Sequence, residues 1–179
     1  MMTLPPLEIH RPGSVDAALK LLAQHEGARV LAGGTDIVPN LKYGMYETGH
    51  LVALRGLSHE LRYVKREGAE VRLGALCTID QLASDARVRA LLPALADAAS
   101  QIAGPQLRRM GTLGGNLCLD TRCVYINQSH FWRQALGFCL KKDGTVCHVV
   151  ASGKRCVAAA TQFFPLFTTW QTVPSFFRQ

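Results

Sequence analysis

Apolar positions along the chain come in short runs, and their spacing switches between that of a helix and that of a strand. Over residues 10–26, His-Arg-Pro-Gly marks a turn and Ser14 sits where an N-cap belongs. Val15, Ala18, Leu21 and Leu22 then recur at helical spacing, so a turn followed by a helix is expected. Ala28 to Ala32 is a compact run ending at Gly33-Gly34 and predicts a short strand. Leu41 to Tyr46 predicts a helical turn, and Leu51-Val-Ala-Leu54 a second strand. This rhythm predicts a small β-α-β unit over residues 1–56. Beyond it, Leu61–Lys65 and Glu70–Gly74 predict an antiparallel pair about Arg66-Glu-Gly68. Residues 79–103 predict helix in two pieces broken near Pro93, the second alanine-rich, buried and stopped by Gly104-Pro105.

The pattern fails at the end. The last 19 residues, from Thr161, hold five of the seven phenylalanines and one charge, Arg178, with neither helical nor strand periodicity. They form an aromatic tail foreign in composition to the rest. The chain as a whole, 48% hydrophobic and 18% charged over 179 residues, fits a globular protein. No apolar run reaches the roughly 20 residues of a membrane helix. The start lacks the basic and apolar segments of a secretory signal, so the expected compartment is the cytoplasm.

Charge narrows the question further. Between Pro105 and Cys156 stand eight basic residues (Arg108, Arg109, Arg122, Arg133, Lys141, Lys142, Lys154, Arg155) against Asp120 and Asp143, which places +6 of the net +7 there. A nucleic-acid surface is one meaning of such a patch. The same stretch carries five of the six cysteines, however, and a thiolate-held iron–sulfur cluster is an anion that nearby cations would offset.

Two glycine-rich turns stand out, Leu31-Ala-Gly-Gly-Thr-Asp36 and Gly111-Thr-Leu-Gly-Gly-Asn116. Paired glycines allow positive φ and close backbone approach, and exposed N–H groups there can cradle an anion. Either turn alone is equally well an ordinary tight turn. Neither is a G-x-G-x-x-G fingerprint or a P-loop. Of the cysteines, Cys123, Cys139, Cys147 and Cys156 lie 16, 8 and 9 residues apart, which suits a soft-metal site but leaves zinc and inert buried thiols open. The six histidines (His10, His25, His50, His59, His130, His148) are scattered, and no hydrolytic motif is present.

Taken together, AGGTDIVPNLKYG from Ala32 and AGPQLRRMGTLGGNLC from Ala103 resemble the flavin subunits of the molybdenum hydroxylases, the xanthine and carbon monoxide dehydrogenases and their relatives. The resemblance runs from about Pro12 to Ala160. It implies an α+β, two-subdomain FAD-binding fold of the PCMH/vanillyl-alcohol-oxidase-like type, with subdomains at 1–56 and 57–160. Leu31, Ala32, Gly33, Gly34, Thr35, Asp36 and Ile37 would form the first FAD loop, and Gly111, Thr112, Gly114, Gly115 and Asn116 the second. Gly34 and Gly115 would lie within backbone reach of the diphosphate. The stretch Asp120–Cys156 resembles the insertion (119–157) by which 4-hydroxybenzoyl-CoA reductase flavin subunits hold a [4Fe–4S] cluster, which implies Cys123, Cys139, Cys147 and Cys156 as ligands. Cys118 and Cys77 are left as buried residues, and His130 and His148 as non-ligands.

That family implies an electron carrier with no substrate chemistry of its own. A ferredoxin-like donor would feed the cluster and FAD. Electrons would pass on to a [2Fe–2S] small subunit and a molybdenum-cofactor large subunit, with no nucleic acid or membrane involved. The rival readings are the flavin subunit of another xanthine- or CO-oxidising complex, against which the insertion argues, and a zinc-binding interaction module. Family subunits continue beyond the fourth cysteine into the flavin-ring pocket. The departure at residues 161–179 therefore predicts a chain without its C-terminal part, one that binds FAD weakly.

Overall fold

The computed structural model describes residues 3–120 and 122–151, so Cys156 and the aromatic tail lie outside the described residues. Two compact units result. The larger is built from residues 5–39 and 48–119, the smaller from residues 40–47 and the chain from Asp120 onward, with the N-terminal residues.

In the larger unit, strands β1 (Glu8–His10), β2 (Arg29–Leu31) and β3 (His50–Ala53) form a parallel sheet in the order β1-β3-β2. Between β1 and β2 runs helix α1 (Val15–Gln24), begun where expected by Ser14, whose hydroxyl accepts the Ala17 N–H at 3.1 Å. Its apolar stripe covers the sheet, with Val15, Leu21 and Leu22 packing around buried Ala18, Val52 and Leu57. After a 3-10 turn at Leu54–Leu57 and helix α2 (Ser58–Leu61) come strands β4 (Val64–Glu67) and β5 (Glu70–Leu73). They pair antiparallel as expected, but the first strand starts at Val64 rather than Leu61 and takes in Arg66 and Glu67, which were expected in the turn. The connection is therefore Gly68-Ala69, with Gly68 at φ +61. Such a positive φ at the first turn residue is what a two-residue hairpin asks of glycine. A parallel sheet, an antiparallel pair and mostly separate helices make the unit α+β.

The helical stretch departs from expectation. Three helices form instead of two: α3 (Ile79–Ser84), α4 (Ala86–Leu91) and α5 (Pro93–Gln101). Pro93 opens the last, but Asp85 makes an additional break. Its carboxylate accepts the N–H groups of Arg87 (2.8 Å) and Val88 (3.4 Å) and pairs with the Arg87 guanidinium at 2.8 Å. Ending one helix and capping the next satisfies N–H groups that a continuous helix would have paired internally. These helices close over Val64, Cys77, Leu82, Val88 and Ala99, a cluster distinct from the one under α1. Cys77 is fully buried there and its thiol donates to the Tyr63 carbonyl at 3.0 Å.

The Asp85 cap carries a prediction. The hydrogen bond from the Arg87 side chain, against a smaller opposing effect of burial, lowers the Asp85 pKa to about 2 from 3.8. A depressed carboxyl stabilises the fold above its unfolded pKa, and that contribution disappears as pH falls through the folded value. Asp85→Ala is expected to cost about 1 kcal/mol at neutral pH, the usual worth of an N-cap. The gap between variant and unmodified chain should close between about pH 4 and about pH 2. Thermal melts across that window check it, and a gap independent of pH would remove Asp85 as the titrating cap.

A second departure concerns the helix expected at 41–46. The helix there, α6, spans Ile37–Lys42, four residues earlier. Pro39 falls in its first turn, where a missing N–H breaks no intrahelical bond. Residues 43–45 instead turn back, with Gly44 at φ +62 and the Met45 N–H donating to Asn40 O at 2.9 Å.

The smaller unit is organised around a cation. Helix α7 (His130–Ala135) buries Arg133 to 1% exposure. Its guanidinium donates to the carbonyls of Gln128 (2.6 Å), Gly44 (3.1 Å) and Tyr43 (3.3 Å) and to the Met45 sulfur (2.8 Å). Burial pulls its pKa down, and the Asp143 carboxylate pulls it back up. Lys142 donates to Met45 O, Arg122 to the Tyr46 hydroxyl at 2.9 Å, and Lys141 pairs with Asp120 at 2.7 Å. The described cations of this segment therefore hold the loop at 43–46 and the segment's own acid. No helix among the described residues is long and apolar enough to cross a membrane.

Candidate functional site

The two glycine motifs, far apart in sequence, meet in the larger unit. The first leaves β2 at Leu31 and turns through Gly34, whose φ of +75 a side chain would strain. The second follows helix α8 (Pro105–Met110) and opens helix α9 (Leu113–Leu117). Gly33 is where they touch. A Cβ on it would fall on the Met110 carbonyl oxygen, with the carbonyl carbon at 2.6 Å and Gly111 N at 3.3 Å. The Thr35 hydroxyl lies 3.6 Å from where a Cβ on Gly111 would stand. Gly114 is also pressed, though less hard than Gly33, its virtual Cβ 2.9 Å from the Ala75 Cβ.

Hydrogen bonding corrects one expectation about the second motif. Its N–H groups were to be exposed for an anion, but five of them are engaged within the chain, the first being Gly111 N, which donates to Leu107 O at 2.7 Å. Leu113 N donates to Cys77 O and Gly114 N to Ala75 O, both at 2.8 Å; Asn116 N donates to Thr112 O at 2.9 Å. Gly115 N donates to the Thr112 hydroxyl at 3.2 Å, the cap of α9. The second motif's glycines therefore allow close packing against Ala75 and a capped helix start, and the anion-cradle argument rests on the first motif. Cys118, expected to be buried, is exposed. It is the C-cap of a five-residue helix whose neighbouring Leu117 is also 56% exposed, so no core reaches it. A glycine-lined contact between two loops, with a left-handed Gly34 at one rim, nevertheless fits an extended diphosphate-bearing cofactor such as FAD.

In the smaller unit, Cys139 is buried with Met45 and Ile126, and Cys123 packs against them half-buried. The chain turns tightly after Cys139, the Gly144 N–H donating to Cys139 O at 3.1 Å and the Asp143 backbone at φ +63. Cys147 is half-buried just before helix α10 (His148–Ala151). Among the described residues, Cys123, Cys139 and Cys147 do not gather within the distance one metal ion requires. A cubane is less demanding, because each of its thiolates binds a different iron.

A parallel β-α-β sheet feeding a glycine turn, locked to a second glycine turn on a helical layer, defines a flavin-binding domain of the two-loop kind. The chain matches the model of the FAD binding domain in molybdopterin dehydrogenase over residues 5–171, and it belongs to that family. It is 40% identical over 117 residues to the carbon monoxide dehydrogenase medium chain of Hydrogenophaga pseudoflava, covering 65% of this chain and 40% of that one. It is 38% identical over 109 residues to the xanthine dehydrogenase FAD-binding subunit of Escherichia coli O157:H7, covering 61% and 37%. The solved carbon monoxide dehydrogenase from Hydrogenophaga pseudoflava superposes with a TM-score of 0.64 at 39% identity, over 66% of this chain and 42% of its own. The chain thus spans about 40% of the length of the curated relatives it matches.

Proposed function

We propose that this chain is the FAD-holding part of the flavin subunit of a xanthine- or carbon-monoxide-dehydrogenase-type molybdenum hydroxylase. The carrying observation is the contact of Gly33 with Met110, which brings the two flavin loops together. In this reading the loops Leu31–Ile37 and Gly111–Asn116 hold the cofactor, and the subdomain boundary falls near residue 56. Bound FAD supplies one- and two-electron transfer, while the protein fixes its position and potential. The partners are a molybdenum-cofactor large subunit and a [2Fe–2S] small subunit, in the cytoplasm.

A second reading rests on the cysteine segment. Cys123 and Cys139 share one apolar cluster beside the buried Arg133 cation, an arrangement suited to an anionic cofactor. We infer that Cys123, Cys139, Cys147 and Cys156 ligate a [4Fe–4S] cluster, which would make the complex a 4-hydroxybenzoyl-CoA reductase fed by a ferredoxin-like donor.

Anaerobic reconstitution separates the two readings. The second expects about four iron and four sulfide per chain, lost in Cys139→Ser and kept in Cys77→Ser. Iron-free chain that still binds FAD supports the first reading alone. Absence of FAD binding both to the chain and to its complex with the partner subunits would end both.

A further inference from the structure

Three of the histidines that look scattered in sequence converge in the larger unit. The parallel register pairs Glu8 with His50 across β1 and β3, and His10 lies two residues along from Glu8. Residues two apart on a strand share a face, as do register partners, so Glu8, His10 and His50 project together. The third histidine comes from another element. His25 is the C-cap of α1, held by its N–H to Leu21 O at 3.2 Å. Its ring stacks on His50 with centroids 4.1 Å apart and on His10 at 4.6 Å. One ligand nitrogen from each ring lies within 4.8 Å of the others, and all three residues are half-buried.

We propose that His10, His25 and His50, with Glu8, form a binding site for a borderline divalent cation of the zinc class. The inference is independent of flavin binding. Four observations carry it. The His10 Nε2 to His50 Nδ1 separation is 3.2 Å. Two nitrogens bound tetrahedrally to one zinc at its usual bond length stand about 3.3 Å apart. Three imidazoles are the donor set that zinc, copper and nickel prefer, and a carboxylate completes four-coordination. Glu8 stands beside the three gathered nitrogens, with Oε2 3.5 Å from His50 Nδ1 and Oε1 3.9 Å from His10 Nδ1, the ring nitrogen that does not face His50. A rotation of its exposed side chain brings it in as the fourth donor. The site also faces the C-terminal end of α1, where the helix dipole favours positive charge and the last turn holds no basic side chain.

Binding asks little of the fold. The rings stack rather than point at a common centre, and turning them requires only the soft terminal torsion of each side chain. A four-ligand set with no open position makes the site structural, a staple joining β1, β3 and the end of α1.

The test is a Co2+ titration of the full chain, followed by displacement with Zn2+. Expected is one equivalent of Co2+ with visible d–d absorption and no near-ultraviolet thiolate charge-transfer band, bleached by Zn2+. Glu8 is 65% exposed, so Glu8→Gln leaves the fold intact and should weaken Co2+ at least about 10-fold, since loss of even an outer-shell partner costs about 10–100-fold. His25→Gln and His50→Gln should weaken it further, while Cys147→Ser should leave the titration unchanged. Circular dichroism confirms folding of each variant. A titration showing only thiolate-bound cobalt, or one unaltered in both Glu8→Gln and His25→Gln, would overturn the proposal.

Discussion

Gly33→Ala is expected to be the most damaging single-methyl insertion in the flavin loops, at about 3 kcal/mol or more. The added carbon lands on the Met110 carbonyl, and every neighbour it meets is backbone. Overpacking ordinarily costs about 1–3 kcal/mol when side chains can shift into other rotamers. Backbone atoms lack that escape, and Met110 is further fixed because Gly111 on its C-terminal side donates to Leu107 O at 2.7 Å. Gly34→Ala provides the contrast. Its nearest neighbours are the side-chain tips of Leu31 and Val38 at 3.5 Å, so the cost is that of a left-handed φ, about 1–2 kcal/mol. Gly13→Ala meets nothing within 4 Å and should be close to neutral. Urea midpoints should therefore fall in the order Gly13→Ala, Gly34→Ala, Gly33→Ala. Because Gly33 joins the loops, its variant should also lose FAD wherever the unmodified protein holds it. Equal midpoints for Gly33→Ala and Gly13→Ala would contradict the packed contact on which the flavin assignment stands.

Features decided locally were legible in the sequence. Ser14 announces α1 because an N-cap acts over three residues, and Gly68 announces the hairpin because its φ is a property of the turn itself. Those decided by competition were not. Asp85 sits in a run that reads as continuous helix, and it breaks that run because its carboxylate takes the N–H groups of Arg87 and Val88. The helix at Ile37–Lys42 begins four residues before the turn expected at Leu41–Tyr46, and Pro39 in its first turn interrupts nothing.

The site shows the same division. The pairing of the two glycine motifs came from family resemblance, while their physical contact through Gly33 and Met110 needed the structure. Reasoning from glycine to exposed N–H groups failed at Leu113–Asn116, since Cys77, Ala75 and Thr112 supply acceptors that no local pattern reveals. The histidine cluster was invisible for a topological reason. Parallel register sets residue 8 beside residue 50, a pairing with no periodic signature, and the cap of an intervening helix supplies the third ring.

Arg133→Met is expected to loosen the smaller unit by about 3 kcal/mol. Three carbonyls, those of Tyr43, Gly44 and Gln128, lose their donor. An acceptor stripped of its partner in a buried setting costs about 1–3 kcal/mol. Methionine roughly keeps the shape of the side-chain stem and removes the Nε, which has no partner in this structure, so a small gain offsets part of the loss. Lysine keeps the charge but not the planar fork, and Arg133→Lys should fall between the two. The readout is chemical. The Phe138 N–H donates to Arg133 O at 2.7 Å, which fixes the approach to Cys139, itself 5% exposed. A local opening made about 3 kcal/mol easier raises the open fraction about a hundredfold. Alkylation of Cys139, followed by peptide mass spectrometry on metal-free chain, should accelerate by that order in Arg133→Met and less in Arg133→Lys. An unchanged alkylation rate in Arg133→Met would mean that the cation does not hold the loop at 43–46 against the cysteine segment, and would remove the charge argument for an anionic cofactor there.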